Sequence, residues 1–137
     1  MKRARSLACS KLLENSWKYW KGIIGLAQVR GPARLEWAGN VLLDGGHNPQ
    51  GIAALTDYVQ TWLRDTHRVL VTGVLEDHLQ PDMLQSLSEL GQEIITITPD
   101  SPRAMQGERL AEQLRRLGRP AQYAPGIHEA MQLAQQK

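Results

Sequence analysis

The sequence predicts an α/β fold with a mostly parallel β-sheet. Short apolar runs alternate with stretches whose apolar residues recur at helical spacing, from Val41 to Ala134. Strands that alternate with helices are joined by right-handed crossovers, which make neighbouring strands parallel. The first strand is the exception. Because a Gly39-Asn40 turn separates it from the second strand, we expect an antiparallel hairpin there.

The predicted elements follow one another in chain order. We expect strands at Arg34–Trp37, Val41–Asp44, Arg68–Gly73, Glu93–Thr98 and Ala121–Ala124. The apolar positions that mark the intervening helices are Ile52, Leu55, Val59, Trp62 and Leu63, then Leu79, Met83, Leu84, Leu87 and Leu90, then Leu110, Ala111, Leu114 and Leu117, and finally Ile127, Ala130, Met131 and Ala134. Gly91 and Gly118 follow two of these patterns, where glycine commonly ends a helix.

Length and composition restrict the class of protein. A chain of 137 residues suits one domain with its own core. Cys9 is alone, which excludes an internal disulfide or a thiolate zinc cluster and suits a reducing compartment. No apolar run approaches the roughly 18 residues of a membrane span. We therefore expect a cytoplasmic protein that does not use a membrane.

The start of the chain is basic. Residues 1–34 hold eight of the sixteen Lys and Arg and a single acid, Glu14. The spacing from Ala4 to Leu13 predicts an amphipathic helix. The aromatic run Trp17–Trp20, interleaved with lysines, could stack on nucleic-acid bases. Packing of these rings is favoured over that alternative, because no basic stripe repeats. An organellar transit peptide is the other alternative for this segment.

The stretch Asp44–Gly51 connects a predicted strand to a predicted helix. Asn48 suits the N-cap and Pro49 the first helical position. Ligands of open α/β sheets bind at the carboxyl ends of the strands. This pattern therefore favours a ligand site with Asp44 and His47 at its mouth. The alternative is a plain turn in which Asp44 only caps the helix.

The same rule brings polar residues from three strand ends to one edge of the sheet. The residues concerned are Asp44, His47, Asp77, His78, Asp100, Ser101 and Arg103. Acids, histidines, a hydroxyl and a guanidinium at one edge indicate a polar ligand site rather than a core. The alternative is that these loops are polar only because loops lie at the surface.

Four short motifs occur in order along the chain. They are Gly31-Pro32-Ala33-Arg34-Leu35-Glu36, Asp44-Gly45-Gly46-His47-Asn48-Pro49, Gly73-Val74-Leu75-Glu76-Asp77-His78 and Thr98-Pro99-Asp100-Ser101-Pro102-Arg103-Ala104. They resemble the W-P-G-R-x-E, D-G-A-H-N-P, G-x-x-x-D-K and T-x-x-x-P-R-A motifs of the folylpolyglutamate synthase/dihydrofolate synthase family, which belongs with the Mur ligases. The chain departs from these motifs at the Trp and Gly of the first, at Gly46 and at His78.

The resemblance implies a fold and an activity. The fold would be a Rossmann-like three-layer αβα sandwich, with residues 31–137 as the C-terminal glutamate-ligase domain without its last strand and helix. Residues 1–30 would be a remnant helix of the preceding ATPase domain plus a linker. The activity would be the ATP-dependent addition of glutamate to folate or dihydropteroate.

The resemblance also implies roles for single residues. Arg34 and Asp44 would bind ATP, Arg34 at the phosphates and Asp44 at the ribose. His47 would act in catalysis, near the phosphate or the incoming amine. Ser101 and Arg103 would hold the carboxylates of glutamate. The alternative for Arg103 is that it only stabilises its loop.

One expected motif is missing. No G-x-x-x-x-G-K-[ST] phosphate-binding loop occurs in the sequence. In the family, that loop and the Mg²⁺ ligands belong to an N-terminal P-loop domain, so we expect this chain to be inactive alone. The scattered histidines predict no metal site. Two alternatives stay open: a ligase for another pair of acid and amino acid, and a stand-alone nucleotide-binding or interaction module derived from such a ligase.

Overall fold

The computed structural model describes residues 36–38, 41–43 and 49–137. In this part of the chain the strands are β1 Glu36–Ala38, β2 Val41–Leu43, β3 Val69–Thr72, β4 Glu93–Thr96 and β5 Ala121–Tyr123. The α-helices are α1 Pro49–Trp62, α2 Pro81–Glu89, α3 Gly107–Arg116 and α4 Ile127–Gln135. A 3-10 helix at Glu76–His78 lies between β3 and α2.

Strands β3, β4 and β5 form a parallel sheet in that order. Leu70 of β3 pairs with Ile94 of β4, which in turn pairs with Ala121 of β5. Each pair of neighbouring strands is joined through a helix, and the predicted α/β class with a parallel sheet is confirmed. Strands β1 and β2 pair antiparallel, with Trp37 opposite Leu42, in a two-stranded sheet of their own.

The parallel sheet is covered by helices on both faces. Along β4, Ile94 packs into a cluster with residues of α1, α2 and α3, whereas the next residue, Ile95, packs with Ala130 of α4. Consecutive side chains of a strand point to opposite faces of the sheet, so the two clusters lie on opposite sides. Both isoleucines are almost fully buried. This arrangement gives the three-layer αβα architecture that the resemblance implies.

The two glycines predicted to end helices do so in different ways. Gly118 has a φ of +84°, its N–H donates to the Arg115 carbonyl at 2.9 Å, and the N–H of Arg119 donates to the Leu114 carbonyl at 3.2 Å. This is a Schellman motif, as predicted for a glycine at the end of α3. Gly91 does not adopt a positive φ. A β-carbon there would lie 2.8 Å from the backbone nitrogen of Leu70, so glycine is needed for close packing instead.

Two residues of the predicted apolar helix faces are exposed rather than buried. Trp62 is 70% exposed and Leu117 is 43% exposed. In α1, Ile52 and Val59 are buried and Leu63 packs beside them. At 100° per residue Val59 and Leu63, which directly follows the helix, each lie about 20° from Ile52, whereas Trp62 lies about 80° from it and so outside this narrow arc. No helix in the described ranges is long and apolar enough to cross a membrane.

Arg68 joins the amino end of β3 to the ends of two helices. Its Nη1 donates to the carbonyls of Leu63 at 2.6 Å and Thr66 at 2.9 Å, and its Nε donates to the Leu90 carbonyl at 2.9 Å. Burial, together with the nearby charge of Arg119, lowers the pKa of Arg68. The side chain satisfies carbonyls that follow α1 and α2, and it lies at the sheet edge opposite the predicted ligand site.

Candidate functional site

The loops that follow β3 and β4 are paired with each other at the carboxyl edge of the sheet. Leu75 and Ala104 form an isolated antiparallel bridge. The N–H of Glu76 donates to the Arg103 carbonyl at 2.8 Å, and the N–H of Met105 donates to the Val74 carbonyl at 3.0 Å. Residues 73–78 and 97–106, called the paired loops below, are therefore held together by their backbones.

The paired loops bring Asp77, His78 and Arg103 into contact. Arg103 Nη2 donates to Asp77 Oδ2 and lies 3.3 Å from His78 Nε2. The two acceptors are themselves neighbours, with His78 Nε2 3.9 Å from Asp77 Oδ2. The side chains of Arg103 and Asp77 are about half exposed, and that of His78 is less so. The expectation that these residues meet at the carboxyl edge is confirmed, and we call the three the charged cluster.

The charged cluster favours the ionised form of the Asp77 carboxyl group. The hydrogen bond donated by Arg103 lowers the pKa of Asp77 below its ordinary value, and the charge of the same guanidinium adds to the effect. A hydrogen bond to the ionised form of an acid favours that form. Asp77 is therefore a carboxylate at neutral pH, and its negative charge attracts the positive charge of Arg103.

Ser101 shapes the turn that carries Arg103. Its Oγ accepts from the N–H of Arg103 at 3.1 Å, and its carbonyl accepts from the N–H of Ala104 at 3.1 Å. Hydroxyls that bond the backbone two residues further on are typical of tight turns. Ser101 and Arg103 thus lie in one turn, as the T-x-x-x-P-R-A resemblance requires. Their role in holding glutamate stays a prediction.

The start of α3 is fixed to the same edge. Thr98 Oγ1 accepts from the N–H of Gly107 at 2.9 Å, and the buried hydroxyl of Thr96 donates to the Gly107 carbonyl at 2.6 Å. Arg109, in the first turn of α3, forms an ion pair with Glu76 of the 3-10 helix. Two arginines therefore pair with acids of the 3-10 helix. Arg103, in the loop after β4, pairs with Asp77, and Arg109, in α3, pairs with Glu76. Neither this helix nor its pairing is predicted by the local sequence pattern.

Three of the predicted site residues, Arg34, Asp44 and His47, lie outside the described residues, and their roles stay predictions. Within the ranges that are described, no group of three or more His, Cys, Asp or Glu side chains could hold a metal ion. The described residues at the carboxyl edge bring hydrogen-bonding and ionic groups together on the paired loops.

Comparison with known proteins agrees with this architecture. Residues 33–137 match the family described as Mur ligase, glutamate ligase domain. Folylpolyglutamate synthase of Mycobacterium tuberculosis complexed with ADP is similar in structure, with a TM-score of 0.69 and 30% sequence identity over 80% of this chain and 26% of that chain. No curated protein sequence matches significantly.

Two further structures of this kind are similar. Folylpolyglutamate synthase of M. tuberculosis, studied with ADP and AMPPCP, has a TM-score of 0.65 and 28% identity, covering 80% of this chain and 26% of that one. The enzyme of Thermotoga maritima has a TM-score of 0.65 and 22% identity over 77% of this chain and 26% of its own length, and supports the fold alone. The chain spans about a quarter of the length of these structures. The match over residues 33–137 shows that the chain belongs to the Mur ligase glutamate ligase domain family.

Proposed function

We propose that residues 31–137 form the glutamate-ligase domain of an ATP-dependent ligase that adds glutamate to folate or dihydropteroate. The observation that carries the proposal is the family match over residues 33–137. The similarity to folylpolyglutamate synthase at 30% identity supports the choice of substrates. Residues 1–30 would then be a helix of the preceding ATPase domain and the linker to it.

The nucleotide would bind near the first two motifs. The M. tuberculosis structures hold ADP or AMPPCP, which supports a nucleotide as ligand. The guanidinium of Arg34 suits phosphate oxygens because it is always charged and donates in a planar fork. The carboxylate of Asp44 suits ribose hydroxyls, because an ionised carboxyl group accepts hydrogen bonds at both of its oxygens.

The amino-acid substrate would bind at the paired loops. In ligation of this class, the acid substrate takes the γ-phosphoryl group of ATP and becomes an acyl phosphate. The amine of glutamate then attacks the carbonyl carbon of the acyl phosphate. The amide bond forms as the bond to phosphate breaks, and phosphate leaves. Arg103 and Ser101 would hold the glutamate carboxylates, and the half-exposed guanidinium of Arg103 supports this role. His47 would lie near the phosphate or the attacking amine.

Other parts of the reaction need a second domain. Transfer of a phosphoryl group needs a phosphate-binding loop and Mg²⁺, and the sequence contains no G-x-x-x-x-G-K-[ST] motif. No described residues form a set of metal ligands, and we assign Mg²⁺ to none of them. We therefore propose that an N-terminal P-loop ligase domain supplies the loop and the Mg²⁺ site.

The proposal is tested by joining the chain to the N-terminal domain of a folylpolyglutamate synthase. Formation of ADP, phosphate and a glutamate-extended folate is expected only when both parts are present. A product from another acid or amino acid, with none from folate or dihydropteroate, would show a ligase of different specificity. Binding of ATP without any amide product would favour the stand-alone nucleotide-binding module.

A further inference from the structure

Arg103 reaches across the paired loops with one nitrogen only. Its Nη2 makes the contacts with both Asp77 and His78. Among the described residues, Nε and Nη1 of Arg103 contact no protein acceptor. A guanidinium carries five N–H donors in a fixed plane, so fixing Nη2 orients the other donors as well. More than half of the side chain is exposed, which leaves room for a ligand at those donors.

His78 makes its contact without adding charge. Arginine has no acceptor atom, so in this contact His78 Nε2 is the acceptor and carries no hydrogen. Asp77 supplies a charged acceptor and His78 a neutral one. Among the residues that the structure describes, the guanidinium is therefore held from two sides by one carboxylate and one ring nitrogen, and it keeps attraction for a second anion.

The paired loops do not depend on these side-chain contacts to stay together. The bridge between Leu75 and Ala104 and the backbone hydrogen bond from Glu76 to Arg103 already join them. An exposed ion pair adds little to stability. Its main effect here is on the orientation of the Arg103 side chain, which would otherwise sample many rotamers.

We propose that Asp77 and His78 are positioning residues, which hold Arg103 so that its Nε and Nη1 donors meet a carboxylate of the glutamate substrate. This inference rests on the proposed function for the choice of glutamate as ligand. It assigns to Asp77 and His78 a role in binding without contact with the substrate.

The test is a glutamate titration of the full chain, labelled with ¹⁵N-arginine and followed by NMR of the Arg103 Nε–H group. In the wild type, we expect slowed rotation of the Arg103 guanidinium and a shift of its signal on addition of glutamate. Asp77→Asn should release the guanidinium and raise the Kd for glutamate roughly two- to fivefold, the range expected for an exposed ion pair.

The variants at residue 78 separate positioning from a structural role. His78→Gln keeps a neutral acceptor in its amide oxygen and should bind glutamate as the wild type does, whereas His78→Leu has no acceptor and should raise the Kd like Asp77→Asn. The matched control is Glu76→Gln, which removes the neighbouring ion pair with Arg109 and should leave the glutamate Kd unchanged.

Three results would overturn the inference. The first is equal or tighter glutamate binding by Asp77→Asn, since Asp77 would then compete with the ligand. The second is the same guanidinium rotation in Asp77→Asn and the wild type. The third is an Arg103 signal that glutamate does not move. By contrast, glutamate binding that depends on Asp77, in a joined protein that forms no folate product, would support the inference and contradict the proposed function.

Discussion

The backbone of Gly73 lies directly against the ring of Pro99. A β-carbon on residue 73 would come within 2.8 Å of Pro99 Cγ and 3.0 Å of the Ile97 carbonyl oxygen. Gly73 follows β3 and Pro99 follows β4, so this contact sets the separation of the paired loops where they leave the sheet. The spacing requires glycine for close approach, because any side chain would push the loops apart.

Gly73→Ala should therefore disturb both stability and the charged cluster. Overpacking of this kind costs about 1–3 kcal/mol, so the free energy of unfolding in urea should fall by that amount. The amide resonances of Asp77 and Arg103 should shift with it.

Gly126→Ala is the matched control for Gly73→Ala. Its new methyl group would meet only the end of the flexible Glu129 side chain, and its φ of −160° is extended backbone. Because Gly126 is the N-cap of α4, where glycine is preferred to alanine, stability should fall by at most about 1 kcal/mol, and the resonances of Asp77 and Arg103 should stay in place. Equal urea midpoints for Gly73→Ala and the wild type, with unchanged resonances, would contradict the close approach of the two loops.

Arg68→Lys should destabilise the fold although it keeps the charge. Lysine has no planar group that could donate hydrogen bonds to the carbonyls of Leu63, Thr66 and Leu90 at once. We expect a loss of about 1–3 kcal/mol in the free energy of unfolding, as for buried carbonyls left without donors.

The matched control for Arg68 is Arg116→Lys. Arg116 forms an exposed ion pair with Glu112 on the surface of α3. Such pairs contribute little, and the change should stay within about 0.5 kcal/mol. If both variants unfold at the same urea concentration, the hydrogen bonds of Arg68 do not hold the ends of α1 and α2.

The charged cluster should titrate in a defined direction. Because the hydrogen bond from Arg103 lowers the pKa of Asp77 in the folded protein, the contact stabilises the fold above the pKa of the unfolded chain. That stabilisation is lost as the pH falls through the folded-state pKa. A ¹³C NMR titration of the Asp77 carboxyl should give a higher midpoint in Arg103→Gln than in the wild type. Arg109→Gln, which loses the pair with Glu76 instead, should leave the midpoint of Asp77 in place; equal midpoints in all three proteins would contradict the contact.

The isolated chain should hydrolyse no ATP and add no glutamate to folate. The reason is the missing phosphate-binding loop, without which the γ-phosphoryl group is not held for transfer. Purified chain should give the same phosphate release as a blank without protein. Turnover above that blank, unaffected by Asp44→Ala, would contradict the idea that the active site is shared between two domains.

Most of the architecture could be predicted from local pattern. Apolar runs mark the strands β3, β4 and β5, because helices cover both faces of the sheet. An apolar period of three to four residues marks each of the four α-helices, because each helix buries one face against the sheet. The end of α3 at Gly118 was also predictable, since an αL residue at that position favours glycine. These features depend on neighbours within a few residues, which the sequence displays directly.

Other features depend on contacts between distant segments. Trp62 fits the apolar period of α1, but the width of the buried arc is set by the packing partner and not by the helix itself. Gly91 follows α2 as a C′ glycine would, yet its reason is the approach of Leu70. The bridge between Leu75 and Ala104 and the 3-10 helix that follows Leu75 require the register of two loops, which no local spacing reveals.

The candidate site also has features that local sequence predicts and features that depend on contacts between distant segments. The rule that ligands bind at the carboxyl ends of parallel strands predicted that Asp77, His78 and Arg103 would share an edge. It could not predict that one nitrogen of Arg103 contacts the other two side chains. The roles of Arg34 and Asp44 follow from the motifs alone and stay predictions.

Residues 44–48, which follow β2, are proposed to bind the nucleotide, and Asp44→Asn tests this most directly in the chain joined to an N-terminal ligase domain. The substitution keeps the shape of the side chain but removes an ionised acceptor. Hydrogen bonds to charged groups contribute about 1.5–3 kcal/mol, so the KM for ATP should rise about tenfold to a hundredfold. Arg34→Lys should also weaken ATP binding, since it keeps the charge but loses the planar fork.

The control is Asp57→Asn, the same substitution at an exposed position of α1, which should change no kinetic constant. The decisive measurement is the KM of Asp44→Asn for ATP beside its KM for folate and for glutamate. The predicted result is a raised KM for ATP with a nearly unchanged KM for folate. An unchanged KM and turnover for ATP, together with weaker folate or glutamate binding, would contradict the assignment of Asp44 to the nucleotide.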